Sequence, residues 1–202
     1  METEPIGYNI YRDDELINDN PVPETEFLDT EVTNWQLYSY HVTAVYEINE
    51  TNPTAIFTCS PVSYAGGSGT ENDPYQIETA EHLYYVRSAP HACFIQTNNI
   101  DLGIPPYTDN GGWEPIGTAE EPFAGNYNGD RFLIENLTID REESDRQGLF
   151  GNTNGAQLQS IQLDKVNVYG HSTVGALVAY AENTGISECA VTGHVIANDY
   201  VG

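Results

Sequence analysis

Apolar and polar residues alternate with a period of two along several stretches of this chain, the pattern of strands that bury one face. Gly7-Tyr8-Asn9-Ile10-Tyr11-Arg12 alternates in this way, and the polar Asp13-Asp14-Glu15 after it reads as a turn. Phe27-Leu28-Asp29 reads as a further short strand. The longest alternating run places Tyr38, Tyr40, Val42, Ala44 and Tyr46 on one face, and residues 54–58 read as a last strand. Short strands at this spacing, separated by turn residues, predict an antiparallel sandwich over residues 1–58. Residues 59–70, with Pro61, Gly66, Gly67 and Gly69, change texture and predict a linker.

Residues 71–202 follow another pattern. One helix is predicted across Glu78–Val86, with Thr79 as N-cap and Leu83, Val86 and Tyr84 as its buried stripe. Short strands with Gly or Asn turns come after it, and they repeat. Leu158-x-x-Ile161-x-Leu163 recurs as Ile186-x-x-Cys189-x-Val191, 28 positions later. Gly148-Leu149-Phe150-Gly151 recurs as Gly175-Ala176-Leu177-Val178, and Val174-Gly175 as Val201-Gly202, both 27 later. Asn154-Gly155 and Thr184-Gly185 read as equivalent turns. Such a repeat cannot bury its apolar residues alone, so stacking of successive turns of chain is predicted. Leu158, Ile161, Leu163, Val166 and Val168 should face inward, and Gln157, Gln159, Gln162 and Asp164 largely outward.

Both halves resemble known families. The order "GYNIYRDDELI", "TEFLDTEV", "YSYHVTAVYE", "NPTAIF" resembles the later strands of a fibronectin type III domain, with the Y-x-Y-x-V-x-A-V run as its most specific piece. "GSGTENDPYQIETAEHLYYV", "CFIQTNNIDL", "GGWEPIG", "PFAGNYNGDRFLIENLTI" and "GLFG…VGALVAY…ISECAVTG" resemble, in that order, the GLUG-type repeat region of bacterial surface proteins. The run VGALVAY departs from that family by lacking a further Gly. The resemblances imply an all-β chain: a partial fibronectin type III-like sandwich (1–58), a linker (59–70), and a right-handed parallel β-helix with a short N-terminal capping helix (71–202). On this reading the chain starts inside the first domain and stops inside a repeat of the second. A half-sandwich of this kind would expose an apolar sheet face.

Composition narrows the function classes. There are 31 acidic residues against 6 basic ones, for a formal net charge of −25. A surface this negative repels nucleic-acid phosphates and anionic lipid, while favouring solubility and tolerance of salt. No apolar run reaches transmembrane length, and residues 1–8 lack the apolar segment of a signal peptide. Cys59, Cys93 and Cys189 form no CxxC and have no His at metal-ligand spacing, so free thiols are expected.

Catalytic motifs are sparse. H-E-x-x-H, Gly-x-Ser-x-Gly and a phosphate loop are all absent. Asp101, Asp109, Glu114, Asp130 and Glu135 fall near turns and are the candidates for a hydrolytic carboxylate pair, with turn residues as the alternative. Asp109, Asn110 and Glu114 offer oxygen donors for calcium, although no EF-hand loop is present and no other cofactor is implied. Tyr107, Trp113 and Tyr127 lie in loop-rich sequence and are candidates for stacking on glycans, but Trp113 in GGWEPIG reads first as a core plug packed over the end of the helix, with stacking as the alternative. The expectation is a non-enzymatic module of a secreted or cell-surface protein, a stalk or an adhesive surface. Its partners would be a glycan or protein ligand and neighbouring domains of its own chain, with neither nucleic acid nor direct membrane insertion. The alternative is a carbohydrate-active β-helix or an accessory region of a larger extracellular hydrolase or peptidase.

Overall fold

The computed structural model describes residues 4–33, 36–59, 61 and 64–198. The fold is all-β with one short α-helix, and it divides into two compact units, 1–63 and 64–202.

The first unit is one antiparallel sheet built from β1 (Gly7–Arg12), β2 (Glu15–Leu16), β3 (Tyr38–Val45) and β4 (Phe57–Cys59), in the order β2-β1-β3-β4. The β1–β2 hairpin turns on Asp13 and Asp14, whose φ values of 51° and 66° give the left-handed pair that two-residue hairpins prefer. Asp13 also accepts from the Ser39 amide (2.8 Å), which ties the turn to β3. Buried Asn18 accepts from the Ile10 amide (2.7 Å) and donates to Asn20 O (2.8 Å), so it substitutes for a missing ladder beside β1. Residues 27–29, expected to form a strand, do not. Leu28 is 82% exposed, and the segment is pinned through Asp29 instead. Arg12 Nη1 donates to both Asp29 carboxylate oxygens (2.9 Å each) and Tyr40 Oη donates to Oδ2 (2.9 Å). Burial pushes the Asp29 carboxyl up, but the bonds from Tyr40, the Glu31 amide and Arg12 outweigh it and hold the group below its ordinary value.

The β1–β3–β4 face carries Tyr8, Ile10, Tyr40, Val42 and Phe57, which with Val22 and Phe27 among others line an apolar groove of 510 Å³. Among the described residues, Ile10 and Tyr38 are the buried hydrophobic side chains of this unit.

The second unit is built from parallel ladders. Its strands are β5 (Tyr75–Ile77), β6 (Cys93–Gln96), β7 (Ile100–Asp101), β8 (Asn126–Asn128), β9 (Leu133–Glu135), β10 (Thr138–Arg141), β11 (Phe150–Asn154), β12 (Gln157–Gln159), β13 (Gln162–Gly170), β14 (Val178–Glu182), β15 (Gly185–Ser187) and β16 (Ala190–Ala197). They form three sheets: β15-β12-β8-β6-β5; β7, β9, β10, β13 and β16; and β11-β14. The chain passes from the first sheet to the second, then the third, and back. Isolated parallel bridges Ile116↔Phe150 and Phe123↔Thr153 extend the third sheet by one layer.

Apolar columns run in register across layers, and the β13–β16 ladder shifts by one residue between Leu163 and Val166, from an offset of 28 to 27. Phe94 pairs with Tyr127, Tyr127 with Leu158, and Leu158 with Ile186. Ile100 pairs with Ile134, Ile134 with Leu163, and Leu163 with Val191. The 28-residue repeat read from Leu158 and Ile186 is thus the observed register. The 27-residue offset read from Gly148 and Gly175 is not: Phe150 pairs with Val178, so Leu149 lies opposite Leu177, not Ala176. The turn equivalence shifts too, because Asn154 pairs with Glu182 and Gly155 therefore matches Asn183. Both corner residues take positive φ, 76° and 48°, and Asn is the side chain that best tolerates that region. The recurrence at Val201-Gly202 lies outside the described residues.

Leu158, Ile161, Leu163, Val166 and Val168 are buried as their alternation predicts. The interior also holds an aromatic column: Phe94–Phe123 (6.2 Å), Phe123–Phe150 (5.1 Å) and Tyr127–Phe150 (6.0 Å). Tyr127 is 1% exposed and donates to buried Gln96 Oε1 (3.3 Å), so it is core rather than a surface stacking residue. It belongs to β8, where alternation points it inward between Phe94 and Leu158.

Residues 64–70, expected in the linker, pack with this unit. Ala65 N donates to Gln76 O (3.1 Å) and the Tyr64 ring lies 4.5 Å from Tyr75. The predicted helix is shorter than its sequence pattern. The α-helix α1 spans Ala80–Tyr84 and tightens into a 3₁₀ turn over Tyr85–Ser88. Thr79 caps it, accepting from His82 N (3.1 Å), while Leu83 and Val86 are fully buried.

Candidate functional site

A cleft of 460 Å³ opens in the second unit, lined by Glu81, Tyr84, Tyr85, Tyr107, Asp109, Asn110, Trp113, Glu114 and Arg141 among others. Three segments meet there: α1 with its 3₁₀ extension, the 103–117 loop, and the end of β10.

The loop is positioned by successive backbone turns. Tyr107 N donates to Ile104 O (3.0 Å), Asp109 N to Pro106 O (3.0 Å) and Gly112 N to Asp109 O (2.9 Å). Asn110, Gly111 and Gly112 all take positive φ (51°, 88° and 80°), which brings the loop against β10 through an antiparallel bridge, Gly112↔Ile139. A Cβ on Gly112 would lie 2.0 Å from Thr138 O, so no other residue fits that approach.

Trp113 is 1% exposed, with Nε1 donating to Leu149 O (3.1 Å). Its ring meets Tyr84 at 5.9 Å and 88°. Trp113 is therefore the plug at the end of the helix that forms the floor of the cleft, not an exposed stacking residue. Tyr84, Tyr85 and Tyr107 are half-buried and form the walls: Tyr84–Tyr85 at 5.0 Å and 86°, Tyr84–Tyr107 at 6.1 Å. Burial, helped by Glu81, Tyr85 and Tyr84, pushes the Tyr107 hydroxyl up to about 12, so it remains a neutral donor in ordinary buffers.

The arginines are committed to the protein. Arg87 Nε donates to Tyr84 O (2.6 Å), Nη2 to Glu114 O (2.7 Å), and Nη1 pairs with Glu114 Oε2 (3.0 Å). Its guanidinium lies 3.9 Å from the Tyr84 ring centroid and 5.5 Å from that of Trp113. Burial pulls the Arg87 guanidinium below its ordinary value, against the pull of Tyr84 and Glu114. Arg141 donates to Gly112 O (3.1 Å) and to Trp113 O.

Of the expected site residues, Tyr107, Asp109, Asn110 and Glu114 are brought together at this cleft with buried Trp113, while Tyr127 is elsewhere in the core. The calcium reading fits poorly. The Glu114 carboxylate is already held by Arg87 and by Tyr84 Oη (3.1 Å), and no group of three His, Cys, Asp or Glu side chains is placed to hold a metal ion among the described residues. The other candidate carboxylates serve the turns. Asp101 accepts from Gly103 N and Asn136 Nδ2 (2.8 Å each), and Glu135 pairs with Lys165 (2.9 Å). Asp130 sits in a left-handed turn (φ 45°). The three cysteines are free and half-buried. Tyr85, Glu81 and Arg141 were not anticipated. The Tyr84-Tyr85 doublet was the one available signal, since adjacent helical residues cannot both face a core.

The chain thus defines an all-β protein whose second unit has stacked parallel strands and an aromatic-walled cleft, and comparison places relatives beside it. It is 33% identical over 159 residues to halomucin of Haloquadratum walsbyi, an alignment covering 74% of this chain and 2% of halomucin. It is 40% identical over 94 residues, 44% of this chain, to a protein of Evansella cellulosilytica that carries the provisional name Gly-rich membrane protein. The chain spans 2% and 10% of the lengths of these two curated relatives. No family model matches the chain, and no solved structure matches it.

Proposed function

We propose that the chain is a non-enzymatic module of a cell-surface or secreted protein, in which the second unit is a stiff, ligand-presenting stalk. Residues 64–198 are read as a right-handed parallel β-helix of the GLUG-repeat kind, since parallel crossovers are overwhelmingly right-handed. Residues 4–59 are read as later strands of a fibronectin type III-like sandwich, supported by the Tyr-rich β3 at the centre of its sheet. The reading rests on one observation above all: apolar side chains pair layer over layer in parallel register around one interior. Each layer is held by its neighbours, so extension along the stack must break ladders cooperatively. The two relatives support a surface setting for it, and no helix among the described residues is long and apolar enough to cross a membrane.

A carbohydrate-active reading draws on Glu81, Asp109 and Glu114 at the cleft, but Glu114 is neutralised by Arg87. Incubating the chain with polysaccharides and peptides and following products by mass spectrometry separates the two. The stalk reading expects no turnover. Hydrolysis that disappears in Asp109→Asn or Glu81→Gln would replace it with the enzymatic one.

A further inference from the structure

The ligand class is legible in the cleft itself. We infer that the space walled by Tyr84, Tyr85 and Tyr107 binds a neutral, hydroxyl-rich sugar ring. This deepens the ligand-presenting reading and rests on it only in expecting binding without turnover.

Size and wall chemistry come first. The cleft holds 460 Å³, within the range of small-ligand sites, and its three tyrosine rings are half-buried, with Tyr85 steep to Tyr84 (86°) and Tyr107 tilted to it (46°) over the Trp113 floor. The Tyr85 and Tyr107 rings, which Arg87 does not cover, can offer faces that match the apolar C–H face of a pyranose. The rim carries acceptors on Glu81 and Asp109 and both donor and acceptor on Asn110. Vicinal hydroxyls, which donate and accept at once, satisfy such a mixed rim.

Charge then removes the alternatives. An organic cation would seek the aromatic faces, but Arg87 already lies 3.9 Å from the Tyr84 centroid and 5.5 Å from that of Trp113. Arg141 adds a second guanidinium to the lining. The ring faces nearest the floor are thus already taken by a guanidinium. An anionic sugar meets Glu81 and Asp109 at the same cleft, on a chain of net charge −25. A neutral polyol avoids both penalties.

The test is saturation-transfer NMR on the 202-residue chain. The panel is short oligosaccharides of glucose, galactose, mannose and N-acetylglucosamine, with oligoglucuronate and choline as charged probes. The expected result is that a neutral sugar binds with Kd about 1 mM or tighter. Tyr107→Ala and Asp109→Ala should each weaken it about tenfold, and Tyr107→Phe should change it by less than about threefold. Circular dichroism of each variant verifies the fold. Asp109 is exposed on a loop, so its variant stays informative if Tyr107→Ala unfolds. Silence across the neutral panel, preference for glucuronate or choline, or binding untouched by Asp109→Ala and Tyr107→Ala would each overturn the site. Silence leaves the stalk reading standing; cleavage of a bound sugar would sink the non-enzymatic reading and leave the site in place.

Discussion

The two units obey the same alternation rule and reach opposite ends. In residues 64–198, 24 apolar side chains are buried in one continuous cluster. In the first unit Ile10 and Tyr38 are the buried apolar side chains among the described residues, while Leu28, Leu37, Ile48, Ile56 and Phe57 are all at least 66% exposed. The difference is not residue type. A strand in a stacked parallel array is covered by the layers beside it and by the sheets across the interior. A single antiparallel sheet has two faces, and its apolar row needs a second layer to cover it. The second unit repeats the lesson within itself. Leu158 and Leu163 are 1% and 2% exposed, yet their register partners in the outermost described layer, Ile186 and Val191, are 49% and 43% exposed.

Core truncation should separate the units most sharply. Phe150→Ala removes a fully buried ring from the aromatic column and is expected to cost about 3–5 kcal/mol in urea unfolding. Phe57→Ala, on the exposed face of the first unit, should change stability by no more than about 0.5 kcal/mol. Comparable losses from both would erase the contrast.

Salt should act next. Residues 1–63 carry 12 acidic residues and one basic residue, while the longer 64–202 segment carries 19 and five. Self-repulsion is denser in the first unit. Raising NaCl to about 1 M, where the Debye length falls to about 3 Å, should raise its melting midpoint by several degrees and that of the second unit by less. Equal shifts would contradict this.

A pH effect should follow through Asp29. Its carboxyl is held below the ordinary value of 3.8, so its contribution is fully present above that value and is lost as pH falls through the lower folded one. Asp29→Asn should remove that part of the acid sensitivity of the first unit and leave the second unit unchanged, as read by circular dichroism from pH 6 down to about pH 2.

The smallest effect is at a corner. Asn183→Gly places Gly where the preceding layer has Gly155, at positive φ, and should stabilise the second unit by a few tenths of a kcal/mol in urea unfolding. Destabilisation would mean that the Asn183 side chain, which donates to Asn154 Oδ1 at 3.4 Å, carries the corner.

The stacking register was readable in the sequence where apolar residues themselves repeat, as in Leu158-x-x-Ile161-x-Leu163. It was misread by one residue where glycines were matched, because the ladder that follows them runs at an offset of 28, with Phe150 opposite Val178. Residues 27–29 looked like a strand by composition, but the Asp29 hydrogen bonds hold them as an irregular segment. At the cleft, Tyr107 and its loop stood out as polar and aromatic sequence. Trp113 was legible as a plug at the end of the helix, whereas Tyr127 looked exposed, and only the long-range register shows that it fills the interior. Arg141 carried no local signal at all. It reaches the cleft because Gly112 bridges Ile139, a pairing set by backbone approach rather than by pattern.

Cross-linking across the ladder measures the register itself. Gln159 and Ser187 are exposed register partners on β12 and β15, whereas Gly185 sits two residues off. Adjacent parallel strands lie about 4.8 Å apart, within reach of a disulfide. In a background with Cys59, Cys93 and Cys189 changed to Ser, Gln159→Cys with Ser187→Cys should oxidise rapidly to an intramolecular bond, and Gln159→Cys with Gly185→Cys slowly or not at all. Equal rates for the two pairs, or a bond only in the offset pair, would contradict in-register stacking.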